Sequence, residues 1–207
     1  PNVVTNTGSL GMGVSKAKGI IFANRLLKRH GNVFVLTGDG ELQEGQFWES
    51  LISAANHKLH ELMVIVDHNK LQSDTLVSKV SDLGDLEAKL IAFGWHVSRC
   101  DGNDLEAFSK TLHASKGVMD KPKVIIADTI KGKGVSFMEH TSIDSDIEFY
   151  EFHSGAPGSE VYLKAVKELI DTANNRLSAA NTNALELEIV NHPALIHSNT
   201  LQRLIQA

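Results

Sequence analysis

The chain has 207 residues and a formal net charge of −5, and 42% of its residues are hydrophobic, which is enough for one sizeable core or for a domain with an appendage. Acidic and basic residues are interspersed and no apolar run is long enough to span a bilayer, so we expect neither a nucleic-acid nor a membrane partner. The single cysteine, Cys100, excludes an internal disulfide and favours a reducing, cytoplasmic location.

Helical and strand patterns alternate along the first 128 residues. Helices are predicted at 13–30, 43–58, 83–93 and 104–116. Strands are predicted at 33–37, 62–67, 95–100 and 123–128. Because strands that alternate with helices form parallel sheets, we predict an α/β domain with a parallel sheet flanked by helices.

The character of the chain changes after Thr129. Residues 131–158 show no periodicity and carry Gly, Ser, His and acidic residues, and a loop of this length is usually functional or disordered. A helix is predicted at 160–174, and the Asn- and Ala-rich tail beyond it is expected to be a helical appendage or a docking arm. We therefore divide the chain into a domain of residues 1–172 and a tail of residues 173–207.

Two polar residues stand thirty positions apart, each at the end of a predicted strand. Asp39 lies within Gly38-Asp39-Gly40 after the first strand, and Asn69 follows the second. One helix-length segment separates the two strands, so they should be parallel neighbours that open on the same edge of the sheet, where α/β folds bind ligands. A carboxylate and an amide oxygen suit Mg²⁺ or Ca²⁺, and the flanking glycines let the backbone approach a bulky anion. We therefore predict a metal ion that holds a diphosphate.

A second glycine-rich segment, residues 8–13, precedes the first predicted helix. A turn that feeds a helix N-terminus can bind an anion, and a tight entry into the helix is the alternative. The spacing G-x-x-G-x-G also differs from the dinucleotide-binding pattern G-x-G-x-x-G. Glu44, near the start of the next helix, is by itself an acid placed favourably for the helix dipole.

Three blocks of the sequence resemble transketolase-like enzymes, which use thiamine diphosphate (TPP). They are Thr7–Gly13, Gly38–Gln46 and Lys131–Glu139. Within them, Gly-Asp-Gly followed by Asn69 is similar to the TPP fingerprint of the family. The resemblance extends from about Thr5 to about Leu169 and is to the N-terminal, diphosphate-binding subunit of a split transketolase. It implies the TPP-binding fold, with a family segment before Pro1 missing from this sequence.

The resemblance also implies a set of ligands for the cofactor. The residues that it implies at TPP are Gly8, Ser9, Leu10, Gly38, Asp39, Gly40, Glu41 and Asn69. The first three of these would line the aminopyrimidine ring. The metal ligands that it implies are Asp39, Asn69 and the main-chain carbonyl of Leu71.

Two candidate catalytic residues also come from the resemblance. Glu44 corresponds to a glutamate that contacts the partner chain and helps connect the two cofactor sites of the dimer. His153 lies in the segment 152–157, Phe-His-Ser-Gly-Ala-Pro, which is similar to the family's Trp-His-Gly-x-Ala-Pro with Ser154 inserted; the family's histidine meets the substrate. The alternative is an exposed loop histidine beside the acidic stretch 144–151. Lys131 and Lys133 either attract a phosphate or belong to a solvated basic loop.

The function that the resemblance implies is ketol transfer, in which TPP carries a two-carbon unit from a ketose phosphate to an aldose phosphate. The family's activating glutamate belongs to a second, pyrimidine-binding domain. We therefore expect the partner to be a C-terminal pyrimidine-binding transketolase subunit, in a heterotetramer. One alternative is another TPP-dependent enzyme component, similar to 1-deoxyxylulose phosphate synthase or to a 2-oxoacid decarboxylating enzyme. The other is a non-catalytic, degenerate TPP domain.

Overall fold

The protein is represented by a computed structural model that describes residues 3–6, 8–140 and 149–186. The strands, in chain order, are β1 (Val33–Gly38), β2 (Leu62–His68), β3 (Leu71–Gln72), β4 (Thr75–Leu76), β5 (His96–Asp101) and β6 (Lys123–Asp128). The helices are α1 (Gly13–Leu26), α2 (Gly45–Asn56), α3 (Val77–Ser81), α4 (Leu86–Ala92), α5 (Leu105–Lys116) and α6 (Ser159–Ala179). A short 3₁₀ helix, Gly40–Gln43, lies between β1 and α2.

Four of these strands form one parallel sheet in the order β1-β2-β6-β5. The central strands β2 and β6 carry runs of buried apolar residues, because a strand covered on both faces has no solvent-facing side. The predicted α/β fold with a parallel sheet flanked by helices is confirmed. Its main core lies where α1, α2 and α4 contribute apolar side chains beside the sheet, and it includes Val14, Ile21, Phe47, Leu51, Val64, Leu90 and Ile126.

The predicted elements differ from the observed ones mainly at their ends. Helix α1 stops at Leu26 rather than His30, because Lys28 adopts a left-handed conformation with φ of 53°. Helix α5 begins after Asp104, whose carboxylate accepts hydrogen bonds from two main-chain N–H groups of the first turn, as the predicted capping turn requires. Helix α3 and the β3–β4 hairpin were not predicted, since elements of two to five residues show no periodicity.

The chain divides into two compact units, Pro1–Ser159 and Glu160–Ala207. The first contains the sheet, and the second contains nearly all of α6. The predicted boundary at residue 172 lies inside α6, which is continuous to Ala179. The acidic stretch 144–148 and the tail from residue 187 lie outside the described residues. In the described ranges, every helix is too short or too polar to cross a membrane.

Candidate functional site

The carboxyl ends of β1 and β2 meet at one edge of the sheet. Gly38 is the register partner of Asp67, and the main-chain N–H of Asp39 donates to the carbonyl of Asp67 at 3.1 Å. The carboxylate of Asp39 then accepts a hydrogen bond from the main-chain N–H of Lys70, with 2.5 Å between Oδ2 and N. The structure therefore brings Asp39 against the turn that carries Asn69, as the strand-end argument predicts.

Asp39 is the most deeply buried acidic group at this edge, with 1% of its surface exposed. Its Oδ1 accepts from the main-chain N–H of Gly40 at 2.8 Å, which starts the 3₁₀ helix. Burial raises the pKa of the Asp39 carboxyl, and the two main-chain hydrogen bonds counteract that increase only in part. Within the described part of the chain no cationic side chain forms a salt bridge with it. A desolvated carboxylate with only neutral donors is a favourable place for a cation.

Asn69 and Leu71 form the turn after β2. The side-chain Oδ1 of Asn69 accepts from the main-chain N–H of Leu71 at 2.9 Å, which closes an Asx turn. Lys70, between them, has a left-handed φ of 67°, so the chain reverses towards Asp39. Leu71 then enters the β3–β4 hairpin and is buried. The Asx turn therefore fixes the side chain of Asn69 beside the Asp39 turn, a role that either asparagine or aspartate can fill.

Gly40 and Gln72 lie against each other at the same edge. A β-carbon at Gly40 would come within 3.0 Å of the Gln72 side chain, so a larger residue would crowd the turn. Space beside Gly38 is open, which leaves room for a ligand. The amide Oε1 of Gln72 is buried and has no hydrogen-bond partner among the described residues. An unsatisfied buried acceptor near a buried carboxylate adds negative potential to the site.

These observations test whether the residues fit the metal and diphosphate expected from the sequence. The side-chain donors at this turn are the Asp39 carboxylate and the Asn69 amide oxygen, which suit a hard cation. No group of three or more His, Cys, Asp or Glu residues able to hold a metal occurs among the described residues. The site therefore fits a cation such as Mg²⁺, which completes its coordination with phosphate oxygens and water, and does not fit a zinc-type centre.

The glycine-rich segment before α1 packs onto the turn after β1. The main-chain N–H of Gly11 donates to Oε1 of Glu41 at 2.8 Å, and Gly11 has φ of 78°. A β-carbon at Gly11 would lie 2.7 Å from the β-carbon of Glu44, so only glycine fits there. Gly8, by contrast, has open space around it, and Ser9 and Leu10 are exposed. Packing explains Gly11, whereas Gly8 to Leu10 remain accessible to a ligand.

Glu44 is exposed at the start of α2. It occupies the N-cap position, but its side chain makes no capping hydrogen bond. The carboxylate is therefore not needed to close the helix end. This leaves an exposed acid at the predicted site without a capping function.

Lys131, in the loop that follows β6, makes contacts with two other segments. The Lys131 ammonium donates to the carbonyl of Ser73 at 3.2 Å and lies 2.9 Å from Nδ1 of His153. It also lies 5.1 Å from the centre of the Tyr150 ring. Burial lowers the pKa of Lys131, while the charges of Asp39, Asp67 and Asp74 oppose that decrease. The structure thus brings Lys131 and His153 together near the acidic edge, which the sequence did not predict.

A second hydrogen-bond network lies at the carboxyl ends of β2, β5 and β6. Asp128, at the end of β6, binds the Arg99 guanidinium at 2.7 and 2.9 Å and Nδ1 of His68 at 2.8 Å. The hydrogen bond and charge of Arg99, helped by His68, lower the pKa of Asp128 to about 2. Asp67 accepts a hydrogen bond from the Thr129 hydroxyl. This network was not predicted from the sequence, although Asp128 ends its strand in the same way as Asp39 ends β1.

A protein-family model that matches most of this chain shows which family it belongs to. Residues 1–146 match the thiamine diphosphate binding domain of transketolase. The chain belongs to the transketolase family.

Two components of split transketolases are among its relatives. One, from the apulose-4-phosphate transketolase of Actinobacillus succinogenes, is 40% identical over 172 residues, which is 83% of this chain and 59% of the relative. The other, the 6-deoxy-6-sulfo-D-fructose transketolase subunit SqwG from a Clostridium species, is 36% identical over 163 residues, or 79% and 56% of the two chains. This chain thus spans less than two thirds of these relatives. The predicted resemblance to the N-terminal subunit of a split transketolase is confirmed.

Solved transketolase structures have the same fold over this region. The enzyme from Leishmania mexicana superposes with a TM-score of 0.59 and 32% identity, over 63% of this chain and 21% of the enzyme. The Campylobacter jejuni enzyme gives 0.60 and 25%, over 84% and 30%. The TPP-binding fold predicted for this transketolase-family chain is therefore confirmed, while the roles of individual site residues stay predictions.

Proposed function

We propose that this chain is the diphosphate-binding half of a transketolase that transfers a two-carbon ketol unit between sugar phosphates. It would hold TPP through Mg²⁺ and work with a pyrimidine-binding partner subunit, in a heterotetramer. When bound, TPP supplies the carbanion chemistry that breaks and forms the carbon–carbon bond. The chain itself would bind and orient the cofactor and position polar groups around the sugar.

The observation that carries this proposal is the buried carboxylate of Asp39. It has two neutral main-chain donors and lies beside the Asx turn of Asn69, at the strand edge where open α/β sheets bind ligands. The metal would be held by Asp39, the amide oxygen of Asn69 and the carbonyl of Leu71. Ca²⁺ could replace Mg²⁺, because all of these donors are hard oxygens.

The other site residues take proposed roles around this metal. Open space beside Gly38 would receive the diphosphate, with Lys131 near enough to the acidic edge to offset the anion's charge. The exposed residues Gly8–Leu10 would line the aminopyrimidine, and Glu41 would hold that segment in place through Gly11. His153 would donate or accept a proton at the sugar, since an imidazole can do either near neutral pH.

A partner subunit is part of the proposal for two reasons. The family match is to the TPP-binding domain, and relatives of similar sequence are named as subunits of transketolases. Glu44 lies exposed at the start of α2 without a capping bond, as a residue that contacts another chain would.

Calorimetric titration with TPP tests the proposal. The full chain should bind TPP in the presence of Mg²⁺ and much more weakly when the metal is chelated. Addition of a pyrimidine-binding transketolase subunit should then produce turnover of xylulose 5-phosphate with ribose 5-phosphate, or of the ketoses named for the relatives. Binding of TPP that ignores Mg²⁺ would sink the metal assignment. Binding without any turnover across this panel would favour the non-catalytic alternative.

A further inference from the structure

Lys131 joins three segments that are far apart in sequence. Its ammonium contacts Ser73 in the β3–β4 hairpin and, further along the chain, Tyr150 and His153. Its own main chain is fixed as well, because its N–H donates to Nδ1 of His140 and its carbonyl accepts from the N–H of His140, both at 3.0 Å. Contacts from other segments therefore hold the ammonium in place, while His140 holds its main chain.

The segment that carries His153 is anchored on the same cluster. Tyr150 is 5% exposed, and its main-chain N–H donates to the carbonyl of Asp74 at 2.8 Å. Phe152 packs edge-on against Tyr150 and Phe137, with ring centres 5.9 and 6.0 Å apart. His153 directly follows these anchors and is itself exposed. The anchors leave two properties of its side chain to be fixed, the orientation of the ring and the nitrogen that carries the proton.

The chemistry of lysine determines which nitrogen of the His153 ring carries the proton. An ammonium has three donors and no acceptor, so the contact of 2.9 Å requires Nδ1 of His153 to accept a hydrogen bond. A neutral histidine that accepts at Nδ1 carries its proton on Nε2. The ring then presents an N–H donor from its exposed side, which suits the carbonyl or hydroxyl oxygen of a sugar.

We propose that Lys131 is a positioning residue that fixes His153 in the Nε2–H tautomer and aims that donor at the oxygen of a bound ketose. This inference rests on the proposed function for the substrate, but the hydrogen bond itself is a property of the chain without cofactor. Gly132 supports the arrangement, since its φ is 79° and a β-carbon there would clash with the backbone of Met138 and approach the Tyr150 hydroxyl to 3.0 Å.

Nitrogen-15 spectroscopy of the histidine rings tests the hydrogen bond in the full chain without metal or cofactor. The spectrum of His153→Gln identifies the His153 signals among the ten histidines. At about pH 8, where an ordinary histidine is neutral, Nδ1 of His153 should give the shift of an unprotonated nitrogen that accepts a hydrogen bond. In Lys131→Met this shift should move to that of a free imidazole, and Lys131→Arg should restore it. Lys133→Met is the matched control, because Lys133 pairs with Glu139 and should leave the shift unchanged.

A wild-type Nδ1 that is protonated, or one that is insensitive to Lys131→Met, would overturn the proposal. These outcomes do not depend on TPP, so they are distinct from failure of the proposed function.

Kinetics of the assembled enzyme give the second readout. With TPP and Mg²⁺ held at saturation, so that any loss of cofactor affinity does not contribute, Lys131→Met should lower kcat/KM by roughly 10- to 100-fold, the scale expected when a catalytic group is misplaced. The same substitution should have much less effect in a His153→Gln background, because the two residues act as one unit. If Lys131→Met costs the same factor in both backgrounds, Lys131 acts independently of His153, and the positioning role is wrong.

Discussion

The two ends of the parallel sheet bury groups of opposite charge. At the amino end of β6, Lys123 is 2% exposed, and its ammonium donates to the carbonyls of His60 and Val118. At the carboxyl end of β1, Asp39 is 1% exposed and accepts two hydrogen bonds from main-chain N–H groups. Burial lowers the pKa of Lys123 and raises that of Asp39, so in each case it disfavours the charged form.

The difference lies in how completely the protein satisfies each charge. An ammonium has three donors, and two carbonyls take up most of that capacity, with Glu61 adding a favourable charge. A carboxylate has about four lone-pair sites, and two N–H groups satisfy about half of them. The neighbouring residue Gly38 has open space beside it, and the next residue, Gly40, lies against the Gln72 side chain. Lys123 therefore has its hydrogen bonds satisfied within the fold, whereas the proposed role of Asp39 is to complete its coordination with a ligand.

Asp39→Asn should give the largest effect on binding. Loss of the anionic ligand should weaken TPP affinity in Mg²⁺ by about 100-fold or more, which is over about 2.7 kcal/mol. The free energy of unfolding without ligand should change by about 1 kcal/mol or less, because relief of charge burial offsets one lost hydrogen bond. Calorimetry and thermal unfolding measure the two effects. Asp101→Asn is the control, since Asp101 ends β5 but is exposed. A near-normal TPP affinity of Asp39→Asn would mean that Asp39 is not a ligand and does not differ from Lys123 in this respect.

Lys123→Met should show the opposite pattern. The aliphatic chain is replaced by one of similar size, but the carbonyls of His60 and Val118 lose their donor, which should cost about 1–3 kcal/mol of stability. TPP affinity of the folded variant should stay unchanged, because Lys123 lies at the other end of the sheet. Urea unfolding compared with Lys121→Met, an exposed neighbour, measures the loss. Equal stability of the two variants would mean that the buried ammonium contributes nothing to the fold.

Asp128 adds to the comparison, because it lies at the carboxyl end yet has a cationic partner, Arg99. Its pKa is lowered to about 2 by Arg99 and His68, so its contribution to stability is present above the unfolded pKa of about 4 and is lost as the pH falls towards about 2. In Arg99→Gln that acid-dependent loss should be smaller. Unfolding midpoints measured between about pH 5 and pH 2 provide the test. An unchanged acid profile in Arg99→Gln would contradict the assignment of the low pKa to this pair.

Glu44→Gln should have the smallest effect on the isolated chain. Without a capping bond to lose, the variant should differ from wild type by less than about 1 kcal/mol in unfolding free energy. Its affinity for the partner subunit, or the rate of the assembled enzyme, should nevertheless fall. Sedimentation with the partner subunit and steady-state rates of the assembled enzyme measure this loss. Glu49→Gln, which changes an exposed acid on the same helix, is the control. If the two variants assemble and turn over alike, Glu44 has only its helix-dipole role.

The sequence predicted the sheet well and its surroundings less well. β1, β2 and β6 were recognisable as apolar runs with clear boundaries, and β5 as a short segment between Gly94 and the turn at Asp101. The parallel order of the strands brought Asp39 and Asn69 to one edge. The β3–β4 hairpin was missed because two residues per strand give no pattern. The contact between Gly11 and Glu41 and the contact between Lys131 and His153 were missed for another reason: each joins loops whose paths no local periodicity specifies.

The sequence alone determined the alternation of strands and helices, the strand-end positions of Asp39 and Asn69, and membership of a TPP-binding family. These follow from local patterns and from the rule that parallel strands end on a common edge. Only the tertiary structure decided how each charge is satisfied. Lys123 is buried and donates to main-chain carbonyls, and Asp128 pairs with Arg99. Asp39 accepts hydrogen bonds from neutral main-chain N–H groups. Those outcomes depend on which main-chain groups surround a side chain, and residue type does not encode that by itself.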